Sequence, residues 1–166
     1  MLKLIDKSAN QKELAIMTHL ANVVKAKNVL EIGTLTGSFS IFMAQNTDAH
    51  IDTVDIVYNK GAMENAKGID TIAFHSEGSN KFFEDNEKIY EFIFIDGDHT
   101  YEQSKRDLDN AIKCLTPGGI IVMHDIKKSK HAKKMTCAKA WKEFSEPGYQ
   151  RFMIKTRRNL GVIWSK

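Results

Sequence analysis

Two prolines, two cysteines and no apolar run of membrane-spanning length limit what this 166-residue chain can be. Cys114 and Cys137 are too few for a disulfide framework. The first residues lack the apolar core of an export signal, so both cysteines read as reduced thiols of a cytoplasmic protein. A membrane helix needs about 18–20 apolar residues in a row, and nothing in the chain approaches that. Internal repeats and low-complexity tracts are also missing, which excludes solenoids and long linkers. What remains is an ordinary globular composition, 42% apolar and 27% charged. At about 100–200 residues per domain, residues 1–166 read as one domain with one core.

Charge is unevenly spread. Residues 1–126 carry 12 basic and 19 acidic side chains, whereas 127–166 carry 12 and 2. The basic excess starts at Lys127, Lys128, Lys130, His131, Lys133 and Lys134. It is either a solvated surface or a means of steering an anionic substrate. Its poverty in aromatics makes nucleic acid the weaker partner.

Along the chain, short apolar runs alternate with helical periodicity. Ser8 and Gln11 fit a capping box for a first helix, with Leu14, Met17, Leu20, Ala21 and Val24 as its apolar stripe. Asn28–Ile32, His50–Asp55, Thr71–Phe74, Glu91–Asp96 and Ile120–Met123 read as strands. Between them, helices are predicted over 38–45, 60–67, 79–87 and behind a second capping box at Thr100 and Gln103. Pro117-Gly118-Gly119 is expected to break that last helix, and a further helix is expected around 132–144. Tyr149–Thr156 and Leu160–Trp164 then form a hairpin around Arg157-Arg158-Asn159. Five strand–helix alternations imply an α/β fold with a mostly parallel seven-stranded sheet, helices on both faces and one antiparallel strand from the hairpin. Trp141 and Trp164 read as core or interface residues.

Ligands of such sheets bind beyond the carboxyl ends of the strands, where strand order reverses. After the first strand stand Glu31, Gly33 and Gly37: Gly33 permits a sharp turn and Gly37 opens the next helix. Leu35 replaces the glycine that a dinucleotide fingerprint requires, and Glu31 would repel a phosphate. These features count against a nicotinamide-dependent oxidoreductase. Asp55, about 20 residues past the glycine turn, suits a ribose hydroxyl. Ser79 either edges an adenine ring or caps a helix. Asp96, His99, His124 and Asp125 crowd two neighbouring strand ends. Asp96, His124 and Asp125 can hold a divalent ion, and His99 suits a general base.

With these residues in view, the chain resembles the class I S-adenosylmethionine-dependent methyltransferases, in a branch of small O-methyltransferase-like proteins. Val29–Gly37 resembles the family's first motif in its E-x-G-x-x-x-G form. Asp55 matches its ribose-binding acid, and Phe92–Tyr101 and Leu115–Asp125 resemble its fourth- and fifth-strand motifs. The terminal hairpin is also a family hallmark. The resemblance implies a Rossmann-like methyltransferase fold with S-adenosylmethionine held by Glu31, Gly33, Gly37, Asp55, Ser79 and Asp96. In catechol O-methyltransferase an Asp after the fourth strand and an Asp-Asn pair after the fifth bind magnesium, and a lysine is the base. Here Asp96 matches the first ligand, His124 and Asp125 stand for the remaining pair, and His99 falls at the base position. The implied reaction is methylation of a hydroxyl on a small substrate, anionic or neutral, with His99 and Asp96 catalytic and a divalent metal ion optional. The alternative is a weakly active or inactive cofactor-binding or regulatory module of the same fold. Self-association into a homo-oligomer is left open.

Overall fold

A computed structural model describes residues 9–127 and 137–166. Its sheet is built from β1 (Asn28–Ile32), β2 (His50–Asp55), β3 (Ile72–Ser76), β4 (Tyr90–Ile95), β5 (Leu115–Met123), β6 (Tyr149–Ile154) and β7 (Leu160–Ser165). The helices are α1 (Gln11–Val23), α2 (Ser38–Asn46), α3 (Lys60–Asn65), α4 (Ser79–Asp85), α5 (Tyr101–Lys113) and α6 (Cys137–Glu143). Strand order is β3-β2-β1-β4-β5-β7-β6. The pairs from β3 to β5 are parallel, and β7 runs antiparallel to both β5 and β6. The expected architecture is therefore present, and strand order reverses between β1 and β4.

Strand periodicity divides the core into two layers, because successive side chains point to opposite faces. Leu30, Ile32, Ile93, Ile95, Ile121 and Met123 face one side, where Leu108 and Ala111 of α5 and Ala138 and Ala140 of α6 cover them. Val29, Phe92, Phe94, Ile120 and Val122 face the other, under Leu14 and Met17 of α1 and Phe39 and Met43 of α2. Both layers are needed because β1 and β4 are apolar on both sides. Glu31 shares the second face, and this brings a carboxyl beneath α2.

Several local details differ from the sequence expectations. The capping box of α1 is made by Asn10 and Glu13, with reciprocal bonds of 3.1 and 2.9 Å, in place of the expected Ser8–Gln11 pair. Ser8 itself lies outside the described residues. Both pairs satisfy the same spacing, so the sequence pattern alone offered two registers. β5 begins at Leu115, five residues before the predicted start. Its register against β4 jumps from Tyr90↔Leu115 to Phe92↔Ile120, so the Pro-Gly-Gly segment is accommodated as a bulge within the strand. α6 starts at Cys137, and the first part of the predicted helix, 132–136, lies outside the described residues. Trp164 is 45% exposed, with its ring N–H donating to the Gly118 carbonyl at 3.2 Å. Trp141 is half-buried and fits against Gly161, where a Cβ would lie 2.7 Å from its indole.

Candidate active site

A cleft of about 660 Å³ opens where strand order reverses, lined by the turn after β1, the ends of β2 and β4, and the start of α4. The turn owes its path to Gly33, whose φ is +101°. A Cβ there would stand 2.5 Å from the Asp96 carbonyl oxygen, a separation no side chain tolerates. The chain is held in this position by Gly33 N–H to the Val54 carbonyl (2.8 Å) and Asp96 N–H to the Ile32 carbonyl (2.8 Å). Gly33 thus joins the β1 and β4 ends into one floor. Gly37 does not line the cleft. It starts α2 in the left-handed region at φ +72°, against Ala62 of α3, so its requirement for glycine is structural.

Asp55 ends β2 and lines the cleft. One of its carboxylate oxygens accepts from Leu35 N–H and the other from Val57 N–H, both at 3.0 Å. These bonds hold the group in place, and each oxygen keeps a lone pair for a ligand hydroxyl. Leu35, at φ +45°, is strained into this arrangement. Across the cleft, α4 has Gly78 at its N-cap and no side-chain cap bond, so Ser79 is free of the capping role. Its hydroxyl donates to Asp107 at 2.6 Å, and Gln103 bridges Ser79, Asn80 and Asp107 at 3.1, 3.1 and 2.9 Å. Burial pushes the Asp107 carboxyl up, against the Ser79 and Gln103 bonds that pull it down.

Glu31 lines the cleft floor and is only 2% exposed. Ser40 and Thr53 hydroxyls both donate to Oε2, at 2.5 and 2.6 Å. Burial outweighs these bonds, and the nearby Asp96 and Asp55 charges add to it, raising the carboxyl to about 8. At neutral pH Glu31 is therefore a neutral acid. The expected repulsion of a phosphate by Glu31 fails for this reason; the cleft's acidity comes from Asp55, Asp96 and Asp98 instead.

His99 lies at the cleft wall, 36% exposed, with Nε2 3.9 Å from Asp96 and Nδ1 3.7 Å from Asp125. His124 and Asp125 do not line the cleft; they are buried just behind it. His124 stands between two carboxylates, Asp96 on Nδ1 at 3.1 Å and Glu13 on Nε2 at 3.4 Å. Burial alone would lower its pKa, but these two partners push it up to about 10. Asp125 accepts two contacts from Arg158 Nη1, at 2.8 and 3.2 Å, and Arg158 N–H reaches Glu13 at 3.3 Å.

Asp96, His124 and Asp125 do converge as expected, with one ligand atom from each within 4.8 Å of the others. The donor capacity of His124 is already used, however. Both His124 nitrogens are engaged with carboxylates, so its ring carries a proton where a metal would need a lone pair. The Arg158 guanidinium covers Asp125. In this arrangement the cluster does not fit a divalent ion. Glu13 and Arg158, neither singled out from the sequence, complete the network. Arg158 read as part of a hairpin turn. Of the basic segment, Lys128, Lys130, His131, Lys133 and Lys134 lie outside the described residues.

An uncharacterized protein of Acanthamoeba polyphaga mimivirus is 31% identical over 127 residues, 66% of this chain and 57% of its own length. A Phocaeicola vulgatus tRNA1(Val) (adenine(37)-N6)-methyltransferase is 50% identical over 48 residues, 29% of this chain and 20% of its own. The matched segments thus span under two thirds of either curated relative. Among solved structures, an O-methyltransferase from Bacillus cereus in complex with SAH superimposes with a TM-score of 0.85 at 17% identity, over 98% of this chain and 84% of that one. A family model described as a methyltransferase domain matches residues 30–126, from inside β1 to just beyond Asp125. On that match, the chain belongs to the methyltransferase domain family.

Proposed function

We propose that the chain is an S-adenosylmethionine-dependent methyltransferase acting on a hydroxyl of a small substrate. The observation that carries this reading is the cleft's chemistry. Its lining includes the carboxyl groups of Asp55, Asp96 and Asp98 against Arg158 and His99, with Leu35 closing the approach a pyrophosphate would need. A phosphate-bearing dinucleotide is poorly suited to such a wall, whereas an adenosine cofactor with a sulfonium is matched to it. The Bacillus cereus relative of the same fold holds SAH, the product such a cofactor leaves. The residues present fit the cofactor: Asp55 for ribose hydroxyls, the Gly33 turn for close approach, and Ser79 with Asn80 for the base. When bound, S-adenosylmethionine supplies an electrophilic methyl group that an oxygen nucleophile displaces in line.

The chain's task is then to align a hydroxyl and remove its proton. His99 is the group positioned for this. Its ring borders the cleft, and Asp96 and Asp125 stand within 4 Å of its two nitrogens, where positive charge appears as it accepts a proton. Asp96 is itself fixed by protonated His124, which Glu13 holds from the far side. Arg158 lines the cleft wall with its guanidinium paired to Asp125. We derive no role for a metal, because the protein's own cations engage the donors that would bind one.

The test is mass spectrometry of hydroxylated acceptors incubated with the protein and methyl-labelled cofactor. Labelled methyl ether product is expected, and His99→Ala should lower turnover by about 10²–10⁴-fold with cofactor affinity retained. Unchanged turnover in that variant would remove His99 as the base. A labelled nitrogen product would instead overturn O-methylation.

A further inference from the structure

Resting on the cofactor reading above, we infer that Glu31 is a charge-selective residue, losing its proton when the sulfonium cofactor binds and keeping it when the neutral thioether product binds. The argument begins with placement. Glu31 is on the floor of the cleft, yet only 2% of its surface is exposed. Two hydroxyl donors, Ser40 from α2 and Thr53 from β2, both serve Oε2. Among the described residues, no donor bonds Oε1 and no cation pairs with the carboxyl. The charged groups facing it are Asp55 at the end of β2 and Asp96 at the end of β4, both acidic. The basic side chains in and behind the cleft face other carboxylates: Arg158 faces Asp125, His124 faces Asp96 and Glu13, and His99 faces Asp96 and Asp125.

A buried carboxyl with acidic neighbours and no cation holds its proton, and here the value is raised to about 8. A ligand carrying net positive charge into this cleft supplies the missing counter-charge. The proton then leaves Glu31 for bulk solvent, and a hydrogen-bonded carboxylate faces the cation. Methyl transfer converts the sulfonium to a thioether and deletes that counter-charge. Glu31 takes a proton back, and the carboxylate's attraction disappears with the leaving product. The same residue therefore favours the charged cofactor over its spent form without any contact specific to the methyl group. This is differential binding set by charge.

Isothermal titration calorimetry of the unmodified protein at pH 7, in phosphate and in Tris, reads the proton directly. Nearly one proton should be released per S-adenosylmethionine bound and close to none per S-adenosylhomocysteine. Affinity for the charged cofactor should rise about tenfold per pH unit between pH 6 and 7.5 and flatten above 8, while the product's affinity stays level. Glu31→Gln should abolish the release and the slope and bring the two affinities together. Equal proton release for both ligands, or none for either, overturns the inference while leaving the cofactor reading intact. Failure of either ligand to bind the unmodified protein overturns both.

Discussion

At the residue scale, two buried acids of this chain are opposites. Glu13 is held down to about 2: burial raises it, but the His124 bond, the Asn10 backbone N–H and further contacts lower it more. Glu31 meets only hydroxyls and stays near 8. The difference is a partner's charge, since both side chains are withdrawn from water. It has a measurable sign. Between the ordinary carboxyl value of 4.5 and about 8, Glu31 is ionised in the unfolded chain and protonated in the folded one. The unfolded state then binds fewer protons, so this residue makes stability fall as pH climbs through that window. Denaturant melts of Glu31→Gln should lose this part of the slope and gain on the parent most at pH 8 and above. A variant tracking the parent at every pH would show that the buried acid ionises freely. Gly33→Ala is the second prediction at this scale. With φ at +101° and Asp96 backbone within 2.5 Å of a Cβ, it should cost at least about 1–3 kcal/mol and weaken cofactor binding, read by melting and calorimetry.

Elements matter because the ion network ties four of them together. Glu13 on α1, Asp96 after β4, His124 and Asp125 after β5, and Arg158 between β6 and β7 form one chain of contacts behind the cleft. Removing Asn10's cap by Ala should cost about 1 kcal/mol, the usual price of an N-cap. Glu13→Ala removes the cap partner and leaves a buried imidazolium with one carboxylate fewer. It should cost about 3–5 kcal/mol in urea denaturation. Equal losses in the two variants would mean that Glu13 acts through the cap alone. Because Arg158 and the His124 proton supply positive charge where a metal would sit, EDTA treatment should leave turnover within about twofold. A larger loss, restored by a divalent ion, would show that the network rearranges around a metal.

The same elements show what the sequence made legible. β1 and β4 were readable because each is a short, mostly apolar run, and Gly33, Asp55 and Asp96 because they stand at strand ends. The partnership of Glu13 with His124 spans 111 positions, and no local pattern announces it. Arg158 sat in a turn whose length was informative and whose side chains were not. β5 was cut short because Pro117 and two glycines ordinarily end a strand; only the bulge opposite Tyr90 lets pairing resume.

For the whole molecule, the decisive feature is β7. It lies between β5 and β6, pairing with Leu115–Met123, so it covers the flank of the parallel strands from the far end of the described chain. A protein truncated after residue 148 would expose the β5 edge and its apolar residues Ile120–Met123, a ready template for association. Size-exclusion chromatography should find it aggregated, and recovery of a folded monomer would show that β1–β5 suffice.

Assembly order follows from that placement. During synthesis, β1 through β5 leave the ribosome with one flank of the sheet still unpaired, and Asp125 waits without its arginine. Only when the hairpin folds back does Arg158 reach it and donate its backbone N–H to Glu13. The crevice is thus walled by groups from both extremes of the described sequence, so a half-made chain presents no finished pocket to sequester a scarce small molecule.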